Sequence, residues 1–289
     1  SAAGQRCDPD REIRGGEDGQ SDKENQLHRG TSCRSAPCPD SRERRVASRG
    51  YHIRPRIRRL SRFANLGPAV ALACAGRETL RLGDEVRKML ARTFDVFQSN
   101  DSKVVQEIEK SDDVIDRLHE AIKLYLTRLS REELDAKESE RTVEILGFTT
   151  NLEHIGDIID KNLMELATKK IKRKASFSGA GVKELSIFHR RILGNLDLAL
   201  NVFMSGDIDL ARKLLREKVS IRDLEREYVE SHYRRISEGR PDSIETSALH
   251  LDVLRDLKRI NSHLTSVAYP ILERAGELIE SRLVGDALE

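Results

Sequence analysis

The chain has 289 residues, of which 35% are charged, 38% hydrophobic and 4% aromatic, and it contains no tryptophan. This balance is typical of long amphipathic helices, and no run of alternating β-branched residues bounded by turns predicts a strand. Residues 1–76 hold 15 basic against 9 acidic residues, whereas the remainder holds 36 against 40. The slightly acidic remainder argues against a nucleic-acid-binding protein.

The first part of the chain, residues 1–68, is rich in Arg, Ser, Gly, Asp and Pro and has almost no apolar periodicity. We predict that it is a disordered basic leader. All four cysteines fall within the first 76 residues at spacings that do not favour a zinc site. The apolar run Ala69–Ala75 is far shorter than the ~20 residues of a membrane-spanning helix, so we expect no transmembrane segment in this chain.

After the leader, apolar residues recur at spacings of three and four, which predicts six long helices. In chain order they span about residues 77–98, 101–129, 133–171, 183–204, 209–236 and 242–283. Ser130 and Glu133 are expected to form a capping box at the start of the third helix. Pro270 removes one backbone donor and is expected to kink the sixth.

The helical plan occurs twice. The segment Asp95–Asp101 (DVFQSND) is echoed by Asn201–Asp207 (NVFMSGD) at an offset of 106 residues. Duplication of a three-helix unit is the simplest explanation. We therefore predict an all-α fold of two tandem antiparallel three-helix bundles, with residues 69–175 in the first and 176–289 in the second.

The third predicted helix carries acidic residues where apolar ones are expected. Glu153, Asp157 and Asp160 follow one another at spacings of four and three, on a line of positions that is apolar at both ends. A buried ionised carboxylate without a partner costs several kcal/mol and normally becomes protonated instead. We therefore expect something in the folded protein to compensate these groups.

The second predicted helix shows the same feature. Asp112 and His119 interrupt a heptad line of apolar residues, and Asp116 follows Asp112 by one turn. Facing helices would bring two acidic pairs together, and clustered carboxylate oxygens in a bundle suit a hard or borderline divalent or trivalent metal ion. The predicted ligands are Asp112, Asp116, Glu153 and Asp157, with Asp160 and His119 as additional candidates.

The second half of the chain provides an internal comparison. The offset of 106 carries Asp112 to Lys218 and Asp116 to Arg222, and with one residue deleted Glu153 falls on Lys258. Protonated basic side chains cannot ligate a metal, so we predict a metal site in the first bundle only. Two alternatives stay open: the acidic pairs lie on solvated helix faces, and the basic residues of the second half form a pocket for phosphate or another anion.

The sequence resembles the PhoU domain. The resemblance rests on Asn151–Leu163 (NLEHIGDIIDKNL), on the duplicated three-helix plan, and on Glu245–Glu273 (ETSALHLDVLRDLKRINSHLTSVAYPILE), and it covers about Ala69 to Leu283. The version it is most similar to forms the C-terminal part of bacterial sodium/phosphate cotransporter family proteins. The N-terminal membrane domain of those longer proteins has no counterpart in residues 1–66.

The resemblance implies a non-enzymatic role in phosphate uptake or its regulation. PhoU-like proteins carry E(D)xxxD motifs that hold multinuclear clusters of iron or other metals. Asp112-x-x-x-Asp116 and Glu153-x-x-x-Asp157 match this motif, whereas the second repeat departs from it. The implied partners are a membrane transporter domain, a phosphate-signalling sensor or a second copy of the chain, and the implied location is the cytoplasmic face of the cell membrane.

Two rival functions fit a helical bundle with paired acids. A ferritin-like di-iron carboxylate enzyme requires Glu-x-x-His motifs, and Asp116-x-x-His119 is the nearest match in this sequence. A purely structural helical scaffold requires no metal. No glycine-rich phosphate loop or Ser/His/Asp arrangement supports a catalytic role.

Overall fold

The structure, a computed structural model, describes residues 67–278, and every regular element in this range is helical. The predicted all-α fold is therefore confirmed. The predicted leader up to residue 66 and the end of the sixth predicted helix, residues 279–289, lie outside the described residues.

The described range consists of helices joined by short connections. They are α1 (Pro68–Ser99), α2 (Ser102–Leu129), α3 (Ala136–Asp157), a π-helical segment (Ile158–Leu163), α4 (Met164–Arg173), α5 (Gly179–Ser205), α6 (Ile208–Ser237), α7 (Pro241–Glu245), α8 (Ser247–Thr265) and α9 (Ala268–Arg274). The third predicted helix thus corresponds to α3, the π-helical segment and α4, which follow one another without a break.

The helices pack as two groups of three. In the first group α1 packs against α2 and α3, and α2 also contacts α3 and α4. In the second group α8 packs against α5 and α6, and α9 also lies on α6. Each helix buries one apolar stripe, as the spacing of its apolar residues requires. The two groups share a continuous core through contacts of α1 with α5 and of α3 with α8.

The first helix begins at Pro68, nine residues before its predicted start. Proline is favourable at the first helical position because its missing N–H would have no partner there. Alanine, the commonest residue in the run that follows, has the highest intrinsic helix propensity of any residue type. Ala71 and Ala75 are buried against the bundle, so this run belongs to the core.

The predicted capping box at Ser130 and Glu133 is wrong. Ser130 ends α2 in a right-handed helical conformation. The capping box of α3 is formed instead by Asp135, whose side chain accepts the backbone N–H of Glu138, while the Glu138 side chain accepts the N–H of Asp135. Asp135 has the extended conformation that an N-cap requires.

The predicted kink at Pro270 is present as a break between two helices. Ser266 and Val267 form a turn between α8 and α9, and Pro270 lies in the first turn of α9. Because proline lacks an N–H, the carbonyl of Ser266 has no helical donor four residues later. The Ser266 hydroxyl meanwhile donates to the carbonyl of His263 at 2.6 Å.

The two helical groups meet where α1 packs on α5. A Cβ atom added to Gly83 would lie 2.3 Å from Cδ2 of Leu200, so a larger residue at this position would force the Leu200 side chain to move. A few residues along, His189 Nε2 hydrogen-bonds the carbonyl oxygen of Leu90 at 2.7 Å, and its ring stacks on Phe94. These contacts fix α1 against the second group.

The second group contains a buried polar network. Glu184 accepts two hydrogen bonds from the Arg235 guanidinium at 2.6 and 2.7 Å, and its Oε2 lies 3.3 Å from His250 Nε2. Burial would raise the pKa of Glu184, but its contacts with His250 and Arg235 outweigh burial and lower it to about 2. The His232 ring stacks on His250 at 4.6 Å, and its Nε2 hydrogen-bonds the Ser247 hydroxyl.

This network predicts sensitivity to acid. Burial, then the charges of His250 and Arg235, lower the pKa of His232 from 6.5 to about 4, against the opposing charge of Glu184. Between pH 6.5 and 4 the unfolded chain therefore binds one proton more at this site, and the free energy of unfolding falls by up to about 1.4 kcal/mol per pH unit as pH drops. We expect His232→Gln to reduce this slope in urea unfolding measured by circular dichroism.

A matched control is Ser247→Ala, which removes the hydroxyl partner of His232 but keeps the imidazole. It should lower stability at every pH and leave the slope unchanged. An unchanged slope in His232→Gln would contradict this account of the network.

Candidate functional site

Three of the predicted ligands converge between α2 and the end of α3. Asp112, Asp116 and Asp157 each offer one carboxylate oxygen, and the three oxygens lie within 4.8 Å of one another. Asp112 is 7% exposed, Asp157 is partly buried and Asp116 is exposed. This cluster of three carboxylates, the acidic site, thus opens to solvent and has a buried carboxylate at its floor.

The Asp112 carboxylate is in an electrostatically unfavourable environment. It lies between Ile108 and Ile115 on the buried stripe of α2, and its Oδ1 has no hydrogen-bond partner among residues 67–278. Burial, together with the negative charges of Asp116 and its acidic neighbours, raises the pKa of Asp112 from 3.8 to about 7. A cation in the acidic site would relieve both effects.

Gly156 provides the space that Asp112 occupies. A Cβ atom added to Gly156 would lie 2.8 Å from Asp112 Oδ1 and 3.3 Å from two methyl carbons of Ile115. Any other residue would therefore displace the carboxylate. Sequence reasoning did not assign this role to Gly156, although a glycine inside a helix costs about 1 kcal/mol and signals a close approach.

The remaining polar groups around the acidic site are Asp160 and Lys161. Asp160 lies in the π-helical segment, and burial, followed by the charge of Glu109, raises its pKa. Lys161 Nζ lies 2.5 Å from Asp157 Oδ1, and this lysine side chain is 63% exposed. Its ion pair with Asp157 can therefore open into solvent without loss of packing.

Glu153 and His119 are not among the three converging groups. The carboxylate of Glu153 turns towards its neighbour, with Oε2 3.0 Å from His154 Nδ1. His119 lies on α2, and its Nε2 is buried without a hydrogen-bond partner in the described part of the chain. The one-turn spacing from Glu153 to Asp157 holds, but only the Asp157 carboxylate joins the converging groups among the described residues.

The donor set of the acidic site fits a metal ion. Three carboxylate oxygens within reach of one another are hard ligands, which suit Mg²⁺, Ca²⁺, Mn²⁺ or iron better than a soft cation. The buried, unpartnered Oδ1 of Asp112 is an acceptor whose desolvation is otherwise uncompensated. This atom distinguishes the acidic site from an ordinary solvated acidic face.

The equivalent positions in the second half have different partners. Lys218, in place of Asp112, donates to the Tyr269 hydroxyl at 2.8 Å, and Lys258, in place of Glu153, donates to Glu225 at 2.7 Å. Asn261 replaces Gly156 and accepts a hydrogen bond from Asn195 at 2.8 Å. The scaffold is thus repeated, whereas the charges at these positions have the opposite sign.

The other two basic residues of the predicted anion pocket, Arg259 and Arg222, also lie close to acidic side chains of the protein. Arg259 pairs with Asp256 at 3.0 Å, and Arg222 lies 3.6 Å from Asp223. All four positive side chains of the pocket, including Lys218 and Lys258, therefore have protein partners. These contacts weaken the hypothesis that the basic residues form a phosphate site.

None of the helices in residues 67–278 combines the length and the hydrophobicity that a bilayer crossing needs.

Comparison with known proteins finds the PhoU domain twice in this chain, at residues 79–165 and 185–271. The two matches coincide with the two helical groups and lie at the offset found within the sequence. Together they cover more than half of the chain.

The relatives that match this chain are described as phosphate transport proteins. The chain is 42% identical over 210 residues to a protein of Escherichia coli (strain K12) described as "Putative inorganic phosphate export protein YjbB", a match that covers 73% of this chain and 38% of that protein. It is 26% identical over 208 residues to "Phosphate-specific transport system accessory protein PhoU homolog 1" of Thermotoga maritima. That match covers 68% of this chain and 86% of the Thermotoga protein. The chain therefore spans about two fifths of the length of its phosphate export relative.

A solved structure shows the same fold. The crystal structure of PhoU from Pseudomonas aeruginosa matches with a TM-score of 0.65 at 21% identity, and the match covers 72% of this chain and 98% of that one. At this identity the likeness establishes the arrangement of helices alone.

Gly156 provides a direct test of the acidic site. We expect Gly156→Ala to destabilise the protein by about 1–3 kcal/mol, because the added methyl group overlaps Asp112 Oδ1 and overpacks the core. Gly147→Ala, nine residues earlier on α3, meets nothing within 4 Å and should stabilise by about 0.5–1 kcal/mol through helix propensity. Chemical unfolding of both variants measures the difference. Equal effects of the two substitutions would contradict the close packing of Gly156 on Asp112.

Proposed function

Because this chain belongs to the PhoU family, we propose that it is a regulatory or accessory domain of a phosphate transport system and that it acts through protein contacts, without catalysis. The relatives described as phosphate export and phosphate transport accessory proteins support this role. A sodium-dependent phosphate transporter is the partner that we propose, joined to this domain in one chain or bound to it as a separate protein. The domain would then lie at the cytoplasmic face of the membrane.

We propose further that the first repeat binds a divalent or trivalent metal ion such as iron. The observation that carries this proposal is the convergence of Asp112, Asp116 and Asp157, with a buried and unpartnered oxygen at its floor. These three side chains would hold the ion, which supplies the positive charge that they lack. Asp160 and His119 are near enough in sequence to extend the site if it holds more than one ion.

The chain's own residues indicate how occupancy would affect the fold. Asp112 and Asp116 lie on α2, whereas Asp157 lies where α3 passes into the π-helical segment. In the metal-free protein these like charges repel one another across the α2–α3 contact. Neutralising them would hold α2 against α3 and fix the helix surface that a partner contacts.

The first test is a measurement of bound metal in protein purified without chelators. We expect metal in the parent chain and its loss in Asp116→Asn and Asp157→Asn. Asp113→Asn is the matched control, because Asp113 is an exposed neighbour on α2 that pairs with Arg117 at 3.5 Å and does not belong to the converging group. Added metal at about 100 times its Kd should raise the Tm of the parent and the control by about 5–10 °C. A parent chain without metal and without this shift would favour the purely structural scaffold.

Glu153→Ala tests whether Glu153 is a ligand, as the sequence motif implies, or lies outside the set of Asp112, Asp116 and Asp157. Because the Glu153 carboxylate is directed at His154, we expect this variant to retain metal in the acidic site. Loss of metal equal to that in Asp157→Asn would show that Glu153 swings into the site, as its sequence motif implies.

The regulatory role has its own readout. Expression of the parent chain in Escherichia coli should change the accumulation of radiolabelled phosphate, and the Asp116→Asn/Asp157→Asn variant should lose this effect at equal expression. An unchanged accumulation with the parent, in cells that contain the phosphate export relative, would count against action on such a transporter.

A further inference from the structure

Two histidines from different repeats meet at the contact between α3 and α8. His154 is on α3 and His263 is on α8, and their ring centroids are 5.4 Å apart with an interplanar angle of 61°. The His154 side chain is 50% exposed and that of His263 is partly buried, so the pair is open to solvent on one side. Nothing in the acidic site or in the proposed regulatory function uses this pair.

Each ring has a side-chain oxygen close to its Nδ1 atom. His154 Nδ1 lies 3.0 Å from Glu153 Oε2, and His263 Nδ1 lies 2.8 Å from Asn151 Oδ1. The Asn151 amide nitrogen donates to the Gly147 carbonyl at 2.8 Å, which leaves its oxygen to accept from His263. With a proton on Nδ1 of each neutral ring, the lone pair is on Nε2.

Histidines that ligate metal ions are typically held in this way. Their second ring nitrogen donates to a carboxylate or an amide oxygen, which fixes the tautomer and the orientation of the ring. Two imidazoles that share a tetrahedral ion at 2.0–2.1 Å from each nitrogen have ring centres about 5 Å apart. The ring centroids of His154 and His263 are 5.4 Å apart, which is close enough for the two rings to share an ion.

We propose that His154 and His263 form a second metal site, specific for a borderline transition-metal ion such as Zn²⁺. The ligands would be the two Nε2 atoms, with Glu153 and Asn151 as positioning residues and water in the remaining coordination positions. Imidazole nitrogens favour Zn²⁺, Cu²⁺ and Ni²⁺, whereas the carboxylates of the acidic site favour harder cations. The two sites therefore differ in the ion that each prefers.

The proposed site also accounts for the position of Glu153. Its motif places it with Asp157, yet its carboxylate is directed at His154 and away from the converging acids. An ion bound by His154 and His263 would connect the first repeat to the second. The proposal stands apart from the acidic site and does not depend on metal binding there.

The test is calorimetric titration of the full chain with Zn²⁺ alone, after the four cysteines have been blocked with iodoacetamide. The background is Asp116→Asn/Asp157→Asn, which disables the acidic site. We expect one equivalent of Zn²⁺ to bind in this background, and His154→Ala and His263→Ala each to weaken it by at least about tenfold. Asn151→Ala should weaken it by about 10–100-fold, because the His263 ring is then free to turn.

A spectroscopic measurement distinguishes ligation from an indirect effect on folding. Cu²⁺ bound in the same background should show electron paramagnetic resonance coupling to two imidazole nitrogens, and to one in His263→Gln. Far-ultraviolet circular dichroism without metal should be the same for all histidine variants, since both side chains reach the surface.

Two results would overturn the proposal. One is Zn²⁺ affinity in His263→Ala equal to that of its background. The other is stoichiometric binding that disappears with the acidic-site substitutions while the histidine variants retain it, which would assign all Zn²⁺ to the carboxylates.

Discussion

The burial of one unpaired carboxylate is the constraint on which the candidate site depends. Asp112 lies between the buried Ile108 and Ile115 on α2, and a Cβ atom added to the facing Gly156 of α3 would lie only 2.8 Å from its Oδ1. Nothing in residues 67–278 donates a hydrogen bond to its inner oxygen. Such a group lowers the stability of the folded protein, and it creates a strongly negative local potential that favours a bound cation.

The duplicated fold shows that this cost is not required by the scaffold. The second repeat has the same succession of helices, but it places Lys218 where Asp112 stands and Asn261 where Gly156 stands. In the second repeat the largely buried carboxylate of Glu184 accepts hydrogen bonds from both terminal nitrogens of Arg235. A cationic side chain therefore compensates this acid of the second repeat, whereas Asp112 Oδ1 has no hydrogen-bond partner among residues 67–278.

Much of the fold could be predicted from apolar periodicity, because a buried stripe at helical spacing is a direct consequence of packing. Periodicity could not locate the start of α1, since an alanine-rich run carries little amphipathic signal. It also could not choose between two competing capping sequences before α3, where backbone conformation at Ser130 and Asp135 decided the outcome. These errors concern helix ends, which depend on a few local hydrogen bonds.

The candidate site was predictable as a region and only partly as a set of side chains. Spacing placed Asp112, Asp116 and Asp157 on facing helices, and their oxygens converge. Spacing could not determine that Glu153 turns to a neighbouring histidine, because side-chain direction depends on rotamers and on α8, which is distant in sequence. The roles of Gly156 and His263 arise from contacts between helices that no local pattern contains.

The π-helical segment immediately after Asp157 has a consequence for how this region can vary. Six residues there are wound more loosely than in an α-helix, and three of them, Ile158, Ile159 and Leu163, are buried. Removing or adding one residue would rotate everything beyond it by about 100° relative to α3. The number of residues in this segment therefore fixes the rotation of the apolar face of α4 relative to the acidic face before it. Substitutions in the segment keep this rotation, whereas insertions and deletions change it.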